Sequence, residues 1–164
     1  MSVNLESDSR QLGVENWLLR AAPDKVTARR EWEERLFTVL PCGAWFDAVR
    51  IPARLVEAAA QSDDPDRVGA YLAAAVVGAP VIHDRYSGWY YALVPAGTAR
   101  WWHTDGITCL GVGAVLGVPH PGVTAERRGS RVCWAVPMGS AGDLCAPPAV
   151  SQVVALGGYR EVSR

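Results

Sequence analysis

Three apolar segments of this chain end on the same dipeptide, Val94-Pro95, Val118-Pro119 and Val136-Pro137, and glycine follows each within three residues of the proline. Proline has no N–H to give a β-ladder and glycine permits the turn that comes next, so the punctuation marks strand ends. A chain punctuated in this way is built around short strands. The segments between them decide how those strands are connected.

Val14, Trp17, Leu18 and Ala21 recur at i, i+3, i+4 and i+7, and past Pro23 the residues Trp32, Leu36, Val39 and Leu40 recur at i, i+4, i+7 and i+8. This is the helical period, and it predicts two amphipathic helices in a preface over 9–40. Residues 1–8 are expected to be a disordered N-terminus. Pro41-Cys-Gly43 ends the preface, and the aromatic and β-branched stretch 44–51 predicts the first strand. Pro52 suits the opening of a helix over 53–61 that buries Leu55, Val56, Ala59 and Ala60. The cluster 62–66 reads as a turn and N-cap, after which Val68, Leu72, Ala75 and Val76 share a helical face as far as Gly78. Strands over 80–84 and 89–94 flank the polar turn Arg85-Tyr-Ser-Gly88 as a hairpin. A short helix over 96–103, strands over 111–118 and 131–136, and a helix over 148–156 capped by Gly157-Gly158 complete the reading.

The order is β-α-β-β-α-β with one more strand and helix appended, the arrangement of a split, ferredoxin-like or RNA-recognition-motif-like sheet. The expected fold is α+β, with an antiparallel-rich mixed sheet of about five strands in one domain over 9–164 and the sheet core over 41–157. The chain has 164 residues, 49% of them hydrophobic, which is enough to bury a substantial core. Its 16 Lys+Arg against 17 Asp+Glu give a net charge of −1, which weakens any reading in which bulk charge holds the molecule to nucleic acid or an anionic membrane. All the basic residues but Lys25 are Arg, which reads as coding in a GC-rich bacterial genome. No basic n-region with an apolar run opens the chain, and Gly69, Gly78 and Pro80 interrupt the longest apolar stretch, so a cytoplasmic protein without a membrane span is expected.

Nucleotide-hydrolysing, dinucleotide-binding, zincin and α/β-hydrolase motifs are all absent from the sequence. Cys42, Cys109, Cys133 and Cys145 lie far apart without a C-x-x-C pair and read as small buried hydrophobes. Cys109, Cys133 and Cys145 with His103 or His120 would be a zinc set, but the spacing is not that of a compact zinc module. No metal or cofactor is expected. Two polar segments stand among aromatics, His83-Asp84-Arg85-Tyr86 at the hairpin turn and the 100–105 segment with Arg100, Trp101, His103 and Asp105. Either would line a cleft, and Asp105 would orient His103 as a base if a turn brought them together. Trp89, Tyr90, Tyr91, Trp101, Trp102 and Trp134 read as core, with base stacking on an open sheet as the sharper alternative, beside a basic track of Arg100, Arg127, Arg128 and Arg131.

The stretches Leu40-Pro-Cys-Gly-Ala-Trp-Phe-Asp-Ala-Val-Arg-Ile-Pro52, Gly78-Ala-Pro-Val-Ile82, Trp89-Tyr-Tyr-Ala-Leu-Val-Pro-Ala-Gly97 and Cys133-Trp-Ala-Val-Pro137 carry a resemblance. Over about residues 38–157 the chain resembles small actinobacterial proteins related to the N-terminal domain of bifunctional DNA primase-polymerases. The resemblance implies an RNA-recognition-motif-like sheet, and for polymerase activity a D-x-D or D-x-E pair on a strand to hold two divalent metals. Here the only Asp-x-Asp is Asp64-Pro-Asp66, in a predicted turn; Glu31-Trp-Glu33 is on a predicted helix, and Asp47 stands alone on its strand. The expected function is a non-catalytic binding or regulatory module with a protein partner, single-stranded nucleic acid being a second partner class. The alternative is a small-molecule enzyme or sensor whose pocket joins the His83–Arg85 and His103–Asp105 segments.

Overall fold

The computed structural model describes residues 2–127 and 129–163. Its centre is a five-stranded sheet of β2 (Phe46–Pro52), β3 (Val81–Asp84), β4 (Trp89–Pro95), β5 (Thr108–Leu110) and β7 (Val132–Val136), in the order β5-β2-β4-β3-β7. The first four of these positions reproduce the order of a split β-α-β-β-α-β sheet, and β7 extends it beside β3. Every ladder between these strands is antiparallel. The crossover from β2 to β3 is made by α3 (Ala53–Ala60) and α4 (Pro65–Ala75), the latter capped by Asp64, whose side chain accepts the Arg67 N–H. The β4 to β5 connection has only a 3-10 turn, Thr98–Arg100, where a helix over 96–103 was expected.

Both faces of the sheet are covered. Val49, Ile51, Tyr90, Ala92 and Val94 pack with Leu55, Val56 and Leu72 of α3 and α4 and with Val153 of α5 (Pro147–Val162). Phe46, Ala48, Ile82, Leu93 and Trp134 pack with Val14 and Leu18 of α1 (Ser2–Leu19), Trp32 of α2 (Lys25–Arg35) and a two-stranded sheet of β1 (Phe37–Pro41) and β6 (Val115–Pro119). The N-terminal preface is therefore the second covering layer. Two indoles tie it to the sheet: Trp32 Nε1 donates to the Val118 carbonyl at 3.0 Å, and Trp134 Nε1 to the Pro119 carbonyl at 3.1 Å.

Four further local expectations need correction. The stretch 2–8, expected to be disordered, belongs to α1, and residues 4–8 of it are exposed, unlike its packed C-terminal half. The second helix ends at Arg35, because Leu36 takes a left-handed conformation (φ 70°) and 37–41 pairs with β6 instead of continuing the helix. There Thr38 and Leu40 point inward and Val39 outward, a period of two that the helical reading of Leu36, Val39 and Leu40 hid. The strand expected over 111–118 starts only at Val115, since Gly113 (φ 93°) turns the chain, and β5 precedes it unread. Gly157 and Gly158 do not cap the last helix but lie within it. Among the described residues no helix is long and apolar enough to cross a membrane.

Gly157 is needed for closeness. A Cβ there would lie 2.3 Å from the Leu55 carbonyl oxygen, so α5 rests on the backbone of α3 at this point. Gly158, one residue on, has open space around it. Gly157→Ala is expected to destabilise the protein by about 2–3 kcal/mol through overpacking against main chain. Gly158→Ala should gain about 0.5–1 kcal/mol from helix propensity. Urea denaturation of the two variants beside the parent checks the opposite signs.

Candidate functional site

The hairpin turn between β3 and β4 is built by Asp84, whose Oδ1 accepts the N–H groups of Tyr86 at 3.0 Å and Ser87 at 3.1 Å. This Asx-type turn leaves Tyr86 projecting, 81% exposed. Arg131 comes alongside from the start of β7, its guanidinium 4.0 Å from the Asp84 carboxylate and 5.7 Å from the centre of the Tyr86 ring. Arg85 points the other way and donates to the carbonyls of Ala125 at 2.7 Å and Arg127 at 3.1 Å, pinning the loop that precedes β7. Arg85, Tyr86, Arg127 and Arg131 thus meet at one corner. Arg128 lies outside the described residues.

His83 belongs to the wall behind that corner. Its ring stacks on Tyr90 with centroids 4.1 Å apart and planes within 4°. Burial, assisted by the nearby Arg85 cation, lowers its pKa to about 4. At neutral pH the ring is uncharged and packed.

The other polar segment is on the far side of the sheet. Arg100 closes the 3-10 turn, Trp101 is 57% exposed, and Trp102 is buried with its Nε1 donating to the Ile107 carbonyl at 3.0 Å. The Thr104 and Ile107 backbones bridge, so the chain reverses here and leaves His103 and Asp105 exposed on the outside with no hydrogen bond or ion pair between them. This loop feeds β5, one edge of the sheet, whereas His83 and Arg85 belong to β3 and its turn beside the opposite edge. Three inter-strand spacings, roughly 14 Å, separate them. The structure does not bring the two segments together. Nor does the sheet offer an open stacking face: Trp134 is 1% exposed, and Tyr90 and Trp102 are buried with it.

Two clefts escaped the sequence reading. One, of about 350 Å³, lies between α1, α2 and the loop after β6, lined by Glu15, Arg29, Trp32, Glu33, His120 and Arg127 among others. His120 Nε2 pairs with the Glu15 carboxylate, and its Nδ1 accepts the Gly122 N–H at 3.2 Å. With Nδ1 accepting, Nε2 is the nitrogen placed to donate to Glu15. The other cleft, of about 340 Å³, lies at the start of β2 and is lined by Gly43, Asp47, Gly97, Arg100, Cys109 and Gly111 among others. Asp47 is 1% exposed; its Oδ2 accepts the N–H groups of Gly97 at 3.0 Å and Ala99 at 2.9 Å, and its Oδ1 is buried without a hydrogen-bond partner.

All four cysteines are free thiols. Burial, with a further push from the Asp47 carboxylate, raises Cys42 and Cys109 to about 12, and burial alone raises Cys145 to about 12. Among the described residues no group of three His, Cys, Asp or Glu side chains is placed to hold a metal ion. No family model, curated protein or solved structure matches the chain.

The depressed His83 pKa makes a pH prediction. The unfolded chain takes up this proton near pH 6.5 and the folded one only near pH 4, so this contribution is fully present above pH 6.5 and lost as the pH falls towards 4. His83→Phe keeps a ring on Tyr90 and removes the titration. Relative to the variant, the parent should lose about 2 kcal/mol between pH 6.5 and 4. Thermal denaturation of both proteins across that range is the measurement.

Proposed function

We propose that the protein is a non-catalytic binding module, kin in fold to the primase-polymerase domains, that recognises a protein segment rich in acidic side chains through the Tyr86 and Arg131 corner. What carries this reading is the pairing of an exposed tyrosine ring with an exposed guanidinium on a turn held by fixed hydrogen bonds. Arg127 is an exposed cation on the adjoining loop, and Arg85 ties that loop to the turn. Glu126 is the acidic residue within that loop. An aromatic beside cations suits carboxylates flanked by apolar groups, because the guanidinium takes the charge and the ring takes the stem.

Kinship of fold is supported by the strand order. Catalysis of the polymerase kind is not proposed: the positions two residues from Asp47 are Trp45, just before β2, and Val49 on it, so the strand supplies no second carboxylate for a metal pair. A pocket enzyme joining His83 and Arg85 to His103 and Asp105 has less support, given the sheet width between them.

Fluorescence anisotropy with a labelled peptide of alternating Glu and Gly, and separately with a labelled oligothymidylate, tests the reading at low salt. Peptide binding in the range of tens of micromolar, weakened at least about tenfold by Arg127→Gln/Arg131→Gln and less by Tyr86→Ala, is expected. No binding at about 100 μM protein, or binding that ignores the double variant, overturns the proposal. Tighter binding of the oligonucleotide than of the peptide overturns the choice of a protein partner.

A further inference from the structure

We propose that the cleft at the start of β2 binds a small zwitterion, a molecule with an amino group and, a few bonds away, a carboxylate or phosphate: the ammonium sits on Asp47 and the anionic end on Arg100. The observation that points to a ligand is the bare Oδ1 of a carboxylate only 1% exposed. A buried acceptor without a donor is costly, and buried polar atoms are nearly always satisfied. Asp47 spends its other oxygen on two backbone N–H groups, so the 3-10 turn is already held without Oδ1.

The surroundings narrow the ligand. Arg100 lines the same cleft, follows Ala99 directly, and makes no ion pair with Asp47. A simple cation seated on Asp47 would meet the Arg100 charge, and a simple anion on Arg100 would meet Asp47. A molecule with both charges in the right order satisfies both. The remaining wall is mostly main chain: a Cβ on Gly43 would lie 2.8 Å from the Val112 Cα, and one on Gly111 would lie 2.6 Å from the Ala99 Cβ. Such a wall is preformed, exposes peptide groups, and encloses about 340 Å³. That is near the lower limit for ligand pockets and selects something of amino-acid size. Cys109, whose thiol burial raises to about 12, contributes a neutral S–H.

The inference does not rest on the acidic-partner reading. The cleft is at the Phe46 end of β2, and the Tyr86 corner is at the Pro52 end, where β2 pairs with Trp89.

The test is an amide-resolved NMR titration of the whole protein with glycine, phosphoethanolamine, ethylamine and acetate. Saturable shifts at Gly97, Ala99 and Gly111 are expected with at least one zwitterion, with a Kd at least about tenfold below those of ethylamine and acetate. Glycine against phosphoethanolamine tells carboxylate from phosphate. Asp47→Asn keeps an acceptor for the Gly97 and Ala99 N–H groups and replaces the bare oxygen with an NH₂, so Kd should rise at least about tenfold. Arg100→Ala changes only an exposed side chain and should do the same, which keeps the proposal testable if the Asn variant does not fold. No saturable shift with either zwitterion at about 20 mM, equal binding of ethylamine, or indifference to Arg100→Ala overturns it.

Discussion

A sheet covered on both faces has to be apolar on both faces, and this constraint organises the molecule. Along β2, Phe46 and Ala48 go to the N-terminal layer while Val49 and Ile51 go to the helices of the other layer. β4 divides in the same way, Leu93 against Ala92 and Val94. Such strands leave little room for chemistry between the layers. Polar side chains are pushed to the strand ends, where they stack or clasp: Arg50 lies with its guanidinium 4.5 Å from the centre of the Trp89 ring. Asp47 is a charged side chain buried inside the sheet, and it is held by backbone N–H groups of the turn that follows β4.

Part of the strand order was legible because local signals agreed with the global fold, but the fourth place in the split sheet, expected for 111–118, belongs to β5, and β6 pairs with β1 instead. Proline and glycine punctuation bounded the strands, Asp64-Pro65 opened α4, and the polar 85–88 turn closed the hairpin. The errors have one cause. In β1, a stretch with apolar residues at both helical and strand spacing was decided by a distant partner, β6, which no local window contains. At Gly157 the local cue for a helix end was overridden by the need for α5 to approach the Leu55 carbonyl.

The candidate site residues were harder to read, because composition names a side chain without saying what it already holds. Arg85 looked like a ligand-binding cation and is engaged with two carbonyls. His83 looked like a titrating group, but it is stacked and held neutral by burial. Tyr86 and Arg131, forty-five positions apart, meet only because β7 returns beside β3. The useful sequence signal was polar residues flanking a tight turn, and it located the corner but not the division of labour within it.

Asp47 shows how a structural clasp differs from a site. Holding the Gly97 and Ala99 N–H groups needs one acceptor oxygen, and an asparagine or a protonated acid would supply it without burying charge. A carboxylate strengthens those two bonds by its charge and brings a second oxygen, Oδ1, that takes no part in holding the turn. Arg100, which follows the Ala99 whose N–H Asp47 holds, lines the same cleft and makes no ion pair with it. Opposite charges that share a cleft without closing on each other gain nothing from the fold alone. In the proposed complex each gains from a molecule that lies between them, in a cleft whose wall at Gly43 and Gly111 leaves no room for a side chain.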